Sequence, residues 1–306
     1  MFKKAKKLFQ EPTRFLFESK YTVLSGTGDL CIKLNRKFLN AAYKTALSES
    51  LLISVIITVY NDEDNILNAL DSILFQSHKK IEIIIIDDAS TDRTSEFLQN
   101  VSKNEPRISL FRNSNNKGTY FSKNFALSKA KGQYITFQDS DDSSHPDRIR
   151  LQLLHVLRHK VVGCYCYTET VDSNGSFIKV NGNKYRRGAI TLFFDREIVV
   201  EKLGSFDQVR LGADTEFLDR MTTTFGPQFK KLYDILYKVN FTSNSLTRSS
   251  PEKSGISWTR ISETEFKFTV IGNRAQYIKH YKNWHNNIKL GVSPPHTNSK
   301  PHFIEH

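Results

Sequence analysis

The sequence predicts an α/β fold in which a mostly parallel central sheet is doubly wound, with helices on both faces. Three observations carry this. The runs LLISVIITVY from Leu51 and IEIIIIDD from Ile81 are almost wholly apolar, the pattern of strands covered on both sides. Segments with apolar residues at helical spacing alternate with such runs. The connections are short, which favours parallel neighbours joined by right-handed crossovers.

SVIITVY (Ser54 to Tyr60) reads as the first strand, and Ile66, Leu70, Ile73 and Leu74 mark a helix behind Asn61 and Asp62 as caps. IEIIIID is a second strand, and Ser90, Thr91 or Asp92 then caps a helix carrying Phe97, Leu98 and Val101. ISLFRN (Ile108 to Asn113), a helix from about Thr119 to Ala130, and QYITFQD (Gln133 to Asp139) extend the alternation. Pro146 opens a further helix with Ile149, Leu153, Val156 and Leu157 on one face. A mixed region follows: strand-like VVGCYCYT, a turn at Asp172 to Gly175, strand-like FIKV, a basic loop KYRRG and strand-like AITLFF.

The chain of 306 residues is 39% hydrophobic and 25% charged, too apolar for disorder, and its 14 Gly and 8 Pro exclude collagen-like or low-complexity architecture. Its longest apolar runs fall far short of the roughly 20 residues that cross a bilayer. The start MFKKAKKLF is basic but lacks an apolar segment and a small-residue cleavage site, so a cytoplasmic location is expected. Cys164 and Cys166 stand two apart in an apolar strand and read, with Cys31, as reduced thiols. The net charge of +12 is uneven: residues 1–50 hold 10 Lys/Arg against 4 Asp/Glu, residues 51–247 hold 25 against 24, and residues 248–306 hold 9 against 4. Basic ends around a balanced middle suit an anionic membrane surface better than a nucleic-acid groove, so no nucleic-acid partner is expected.

The residues that carry chemistry sit at strand ends. Asp139, Ser140, Asp141 and Asp142 follow an apolar strand, at the sheet edge where open α/β folds bind ligands. Carboxylates at i and i+2 project to one side and can hold Mg²⁺ or Mn²⁺ with substrate phosphates; a solvated acidic loop capping the Pro146 helix is the plain alternative. Asp87 and Asp88 end a second strand, where repulsion between carboxylates demands a cation or donor unless Asp88 or Ser90 is simply a helix cap. Tyr60, with Thr58 before it, offers an aromatic face for a ring.

The segments SVIITVYNDEDNI, IEIIIIDDASTDRT, NKGTYFSKNFALSKAKGQYITFQDSDD and LGADTEFLDR, in this order and spacing, resemble the GT-A (Rossmann-like) domain of inverting family 2 glycosyltransferases, especially bacterial ones that make capsule and other surface polysaccharides. The similarity covers about residues 52–247. It implies that Thr58, Tyr60 and Asp88 hold the nucleotide base, with Tyr60 stacking and Asp88 accepting from a ring N–H, as for uracil. It implies a DXD motif in which Asp139, beside Ser140, reaches the ribose or the metal and Asp141 ligates Mn²⁺ or Mg²⁺ on the diphosphate. Lys117, Lys123 or Arg148 would assist there. Relatives often carry arginine at the position of Lys123, and a point charge is no substitute for a bidentate fork. Asp214 matches the acidic residue that deprotonates the acceptor hydroxyl, with Glu216 as a supporting or rival carboxylate. His145 is expected to cap the Pro146 helix rather than bind metal, and His285 is not expected to be a third metal ligand.

The resemblance thus implies transfer from a nucleotide-sugar donor, UDP-linked, to a glycan or lipid-linked acceptor. The alternative is an inactive scaffold subunit of the same fold. The expected organisation is a basic extension (1–50), a GT-A domain (51–247, divided into a nucleotide half, 51–145, and an acceptor half, 146–247), a helical C-terminal extension (248–292) and a flexible tail (293–306). The basic leader either lies on the inner face of a membrane through Phe2, Leu8 and Phe9 or is a solvated helix face.

Overall fold

The run ISVIITV forms β1 (Ile53–Val59), buried along its whole length between parallel neighbours on both sides. In the computed structural model, which describes residues 50–242 and 248–289, it is followed by α1 (Ile66–Leu74), β2 (Ile81–Asp87), α2 (Thr94–Asn104), β3 (Ile108–Arg112), α3 (Thr119–Lys129) and β4 (Tyr134–Asp139). Next come β5 (Ser143–Ser144), α4 (Arg148–His159), β6 (Gly163–Val171), β7 (Phe177–Val180), β8 (Tyr185–Arg187), β9 (Phe193–Asp195), α5 (Arg196–Leu203), α6 (Ala213–Phe225) and β10 (Phe229–Asn240). The last elements are a single turn, α7 (Pro251–Ser254), a hairpin of β11 (Ile256–Ser262) and β12 (Glu265–Val270), and α8 (Gly272–Lys289).

The strands lie in the order β3-β2-β1-β4-β9-β6-β7-β12-β11, with β10 and β8 also paired to β6. β3, β2, β1 and β4 are parallel; β9 runs antiparallel to both β4 and β6. Alternation divides the core into two layers. Ile53, Val55, Ile57, Ile83 and Ile85 face α1, α2 and α4 through Ile66, Leu70, Ile73, Leu98, Ile149 and Leu153. Ile56, Ile84, Ile86, Ile135 and Phe137 face the opposite layer, where α3 (Ala126, Leu127), α6 (Phe217, Met221) and α8 (Tyr277, Tyr281) pack. The expected doubly wound, mostly parallel sheet is therefore what the chain builds.

Four local expectations change. KYRRG is not a loop: Tyr185–Arg187 pairs with β6, because a neighbouring ladder rather than its own pattern supplies the strand. AITLFF divides into a 3₁₀ turn (Ala189–Thr191) and β9. The first helix begins at Ile66 instead of directly behind Asn61, since Asn61 takes a left-handed φ of +49° and bonds Ser90 and Thr91 instead. The C-terminal segment contains its helix but reaches it through the turn α7 and a hairpin, and β12 extends the sheet through β7. Cys164 and Cys166 are buried and unpaired; Cys31, the basic leader and the tail lie outside the described residues. Among the described residues no helix is long and apolar enough to cross a membrane.

One core group gives a pH signature. Burial of His155 on α4, reinforced by His159, Lys230 and Arg158, holds its imidazole down to about 3. The unfolded chain binds this proton near pH 6.5 and the folded chain does not, so the stabilisation is complete above pH 6.5 and declines as pH falls toward 3. In urea unfolding, wild type should lose more stability between pH 7 and pH 5 than His155→Gln.

Candidate active site

The register brings three strand ends level: Thr58 of β1 stands beside Asp139 of β4, and Val59 beside Asp87 of β2. This edge lies where β1 leads out to β2 on one side and meets β4 on the other, the switch point at which open α/β sheets bind ligands. The start of α3 crosses it. The backbone N–H groups of Lys117 and Gly118 donate to Asp88 at 2.9 and 2.7 Å, the hydroxyls of Thr119 and Thr58 meet at 2.8 Å, the Tyr120 hydroxyl donates to Asp214 Oδ1 at 2.9 Å, and Lys123 Nζ lies 3.4 Å from Asp139 Oδ1. Residues 117–123 of a helix start span only about 10 Å, so Asp88, Thr58, Asp214 and Asp139 share one crevice. Gly118 makes this possible, because its φ of +92° aims its N–H at Asp88 where a side-chain-bearing residue would be strained.

The residues expected to hold a base differ in exposure. Tyr60 is 47% exposed while Asp88 is buried. Asp88 also accepts from Asn113 Nδ2 at 2.6 Å, so a ring N–H would use the remaining lone pair of a carboxylate already ordering the 113–118 loop. The Lys117 side chain is exposed and lies over the Phe121 ring, its Nζ 4.6 Å from the centroid. Arg148, expected near the diphosphate, is instead buried under β4, donating to Thr136 Oγ1 and the Phe137 carbonyl. Its placement on the sheet-facing side of α4 makes it a packing residue.

The acidic loop is held from below by β10. Asp139 N–H donates to the Tyr237 hydroxyl at 3.0 Å, Asn240 Nδ2 donates to the Asp141 carbonyl at 2.6 Å, and Asn240 N–H donates to Asp142 Oδ1 at 2.9 Å. Asp142 therefore faces inward, while Ser140 is half-buried between the two motif aspartates. Burial, then the charges of Asp139 and Asp62, push the Asp141 carboxyl up to about 7, and Asp142 is raised well above the ordinary carboxylate range by burial and its neighbours. Arg248, stacked on Phe241 and Trp258, opposes the shift of Asp141 with its charge and is itself lowered to about 10 by burial. Among the described residues no three His, Cys, Asp or Glu side chains form a complete ligand set. Crowded carboxylates with oxygen donors alone fit a hard divalent cation whose remaining ligands are phosphate and water.

Asp214 occupies the first turn of α6. Its Oδ1 receives both the Tyr120 hydroxyl and the Thr215 N–H, leaving Oδ2 without a hydrogen bond among the described residues. Glu216, two residues on, is fully buried and points away: Arg220 Nη2 donates to Oε2 at 2.8 Å and His285 Nε2 lies 2.9 Å from Oε1. As a rival base it has no access to the crevice. His285 Nε2 is thus taken up by Glu216 on α6, while His145 Nδ1 accepts the Asp147 N–H ahead of α4. Sequence reasoning missed Asn240, Tyr237, Asp62, Arg248 and Tyr120. Tyr120 and Asp62 lay within quoted segments without a role in the site, Asp62 being read only as a helix cap, and the others reach the site through folding of distant segments.

Residues 54–207 match the glycosyl transferase family 2 profile. An uncharacterized glycosyltransferase of Haemophilus influenzae is 34% identical over 181 residues, 55% of this chain and 71% of that protein. The Escherichia coli protein named UDP-Glc:alpha-D-GlcNAc-diphosphoundecaprenol beta-1,3-glucosyltransferase WfaP is 40% identical over 114 residues, 37% of this chain and 45% of that one. For an uncharacterized glycosyltransferase of Rickettsia felis the chain spans 21% of the relative's length. Among solved structures, Staphylococcus aureus TarS 1–349 in complex with UDP-GlcNAc superposes with a TM-score of 0.56 at 19% identity, over 65% of this chain and 61% of that one, which is a likeness of fold. With a matched profile running from β1 through α5 and including the strand-end motifs at Asp88 and Asp139–Asp142, the chain belongs to glycosyl transferase family 2.

Proposed function

We propose that the protein transfers a sugar, with inversion and with a divalent metal, from a UDP-sugar to a hydroxyl of a glycan or lipid-linked acceptor in bacterial surface-polysaccharide synthesis. The observation that carries this reading is the convergence on the start of α3 of Asp88, Thr58, Asp139 and Asp214. WfaP, whose name specifies UDP-Glc and a diphosphoundecaprenol-linked acceptor, supports a UDP donor.

Inversion is a single displacement at the anomeric carbon, so charge grows on the leaving diphosphate while the attacking hydroxyl sheds a proton on the opposite face. Tyr60 would stack on the base, with Thr58 and Asp88 reading its edge. Asp139 and Asp141 would hold Mn²⁺ or Mg²⁺, which supplies Lewis-acid stabilisation of the departing oxygen. Lys123, whose ammonium already reaches Asp139, would add positive charge beside the diphosphate. Asp214 would take the proton on its free Oδ2, with Tyr120 fixing the carboxylate's orientation through Oδ1.

Calorimetry of UDP binding with and without Mn²⁺ tests the donor half. Asp141→Asn should weaken Mn²⁺-dependent UDP binding at least tenfold while the fold persists by circular dichroism. UDP binding that is independent of Mn²⁺ in both proteins would contradict the metal role, and no binding at all would contradict the donor.

A further inference from the structure

Two guanidinium groups, on a strand tied to α6 through Arg187 and Asp219 and on a helix lying against the start of α6, form no ion pair with a carboxylate among the described residues. Arg186, on β8 opposite Thr168 of β6, is half-buried with its guanidinium 5.5 Å from the centroid of Phe268 on β12. Among the described residues its side chain makes no hydrogen bond and no ion pair. Its neighbour Arg187 shows the contrast, bonding Asp219 at 2.7 Å. Burial weakens the hold of Arg186 on its proton, the charge of Asp214 opposes this in part, and the two form no ion pair among the described residues. Asp214 Oδ1 is committed to Tyr120 and Thr215. Arg274, from α8, lies across the Gly212 backbone that begins α6, its Nε 3.5 Å from where a Cβ on Gly212 would stand, and donates to the Ser254 carbonyl at 3.3 Å. The start of α6 adds the positive end of a helix dipole to the same corner.

A cation held partly from water without an acceptor is costly, and a guanidinium offers a planar fork matched to carboxylate or phosphate. We propose that Arg186, supported by Arg274, forms an anion subsite that receives a phosphate or carboxylate carried by the acceptor close to its attacking hydroxyl. The acceptor is then a charged glycan or glycosyl phosphate, not a neutral sugar end. Arg186 sets acceptor specificity while Asp214 performs the proton transfer, and this rests on the reading of Asp214 as the base. The C-terminal hairpin takes part, because Phe268 supplies the surface against which the guanidinium is held.

The test compares charged and neutral probes on the full chain by saturation-transfer NMR and competition: glucose 1-phosphate, glucuronic acid and methyl glucoside, with and without UDP and Mn²⁺. In wild type, one charged probe should bind at least tenfold tighter than methyl glucoside. The phosphate and carboxylate arms tell the two sources of negative charge apart. Arg186→Gln should erase the difference with UDP binding unchanged, and Arg186→Lys should restore part of it. The proposal is overturned if neither charged probe exceeds methyl glucoside, if the preference survives in Arg186→Gln, or if Arg186→Gln weakens UDP binding equally, which would place the group on the donor side. Failure of wild type to bind UDP would instead strike the donor reading, and the probe comparison without UDP still decides this one.

Discussion

Asp214→Asn is expected to lower sugar transfer by about 10³-fold while leaving UDP binding and thermal stability unchanged, consistent with the range for loss of a positioned general base. The amide preserves shape and can still accept the Tyr120 hydroxyl through its oxygen, so the local hydrogen bonds survive. What disappears is the capacity of Oδ2 to accept a proton. Two measurements separate this from damage to the donor site: turnover against a nucleotide-sugar panel, and calorimetric affinity for UDP with Mn²⁺. A parallel fall in both would mean that Asp214 belongs to donor binding and that the division of labour along α3 is wrong. Near-normal turnover would mean that another group takes the proton.

The parts of this site legible in the sequence are those where one local pattern does both jobs. An apolar run that stops at a carboxylate is at once a buried strand and a ligand-bearing strand end, and Asp88, Asp139 and Asp141 were found in this way. Their convergence was less visible. It depends on α3, whose Tyr120 reads as an ordinary helix residue until Asp214 is placed against it and whose Lys123, expected near the diphosphate only through the resemblance, reaches Asp139. Arg148 and Glu216 misled for the opposite reason: charge in a sequence suggests solvent or chemistry, but both are buried and held by hydrogen bonds to tertiary partners.

The boundary drawn near residue 247 failed to convey a further dependence. The described C-terminal segment has weak helical and strand patterning of its own, so its contacts could not be foreseen. Tyr277 donates to Asp207 at 2.8 Å, His285 meets Glu216, and Arg274 lies against the start of α6. The helix that carries the proposed base is thus braced by residues more than sixty positions downstream. β10 has the same relation to the acidic loop, through Tyr237 and Asn240.

That brace yields the largest expected loss of stability. Glu216 is fully buried between Arg220 and His285, and Arg220 also donates to the carbonyls of Leu203 and Ser205. Glu216→Ala removes the carboxylate and leaves a buried guanidinium and an imidazole facing a void, a change that costs about 3–5 kcal/mol when one partner of a buried pair is lost. The thermal midpoint should fall by about 10 °C, on the usual 2–4 °C per kcal/mol for a domain of this size. Urea unfolding should show a lower midpoint with an unchanged slope, the mark of lost native-state stability. Glu216→Gln should lose less, since one oxygen acceptor remains. The contrast with Asp214→Asn is the decisive feature: two carboxylates two residues apart, one dispensable for folding and needed for turnover, the other needed for folding. Wild-type stability in Glu216→Ala would refute the assignment of Glu216 to the scaffold and restore it as a candidate base.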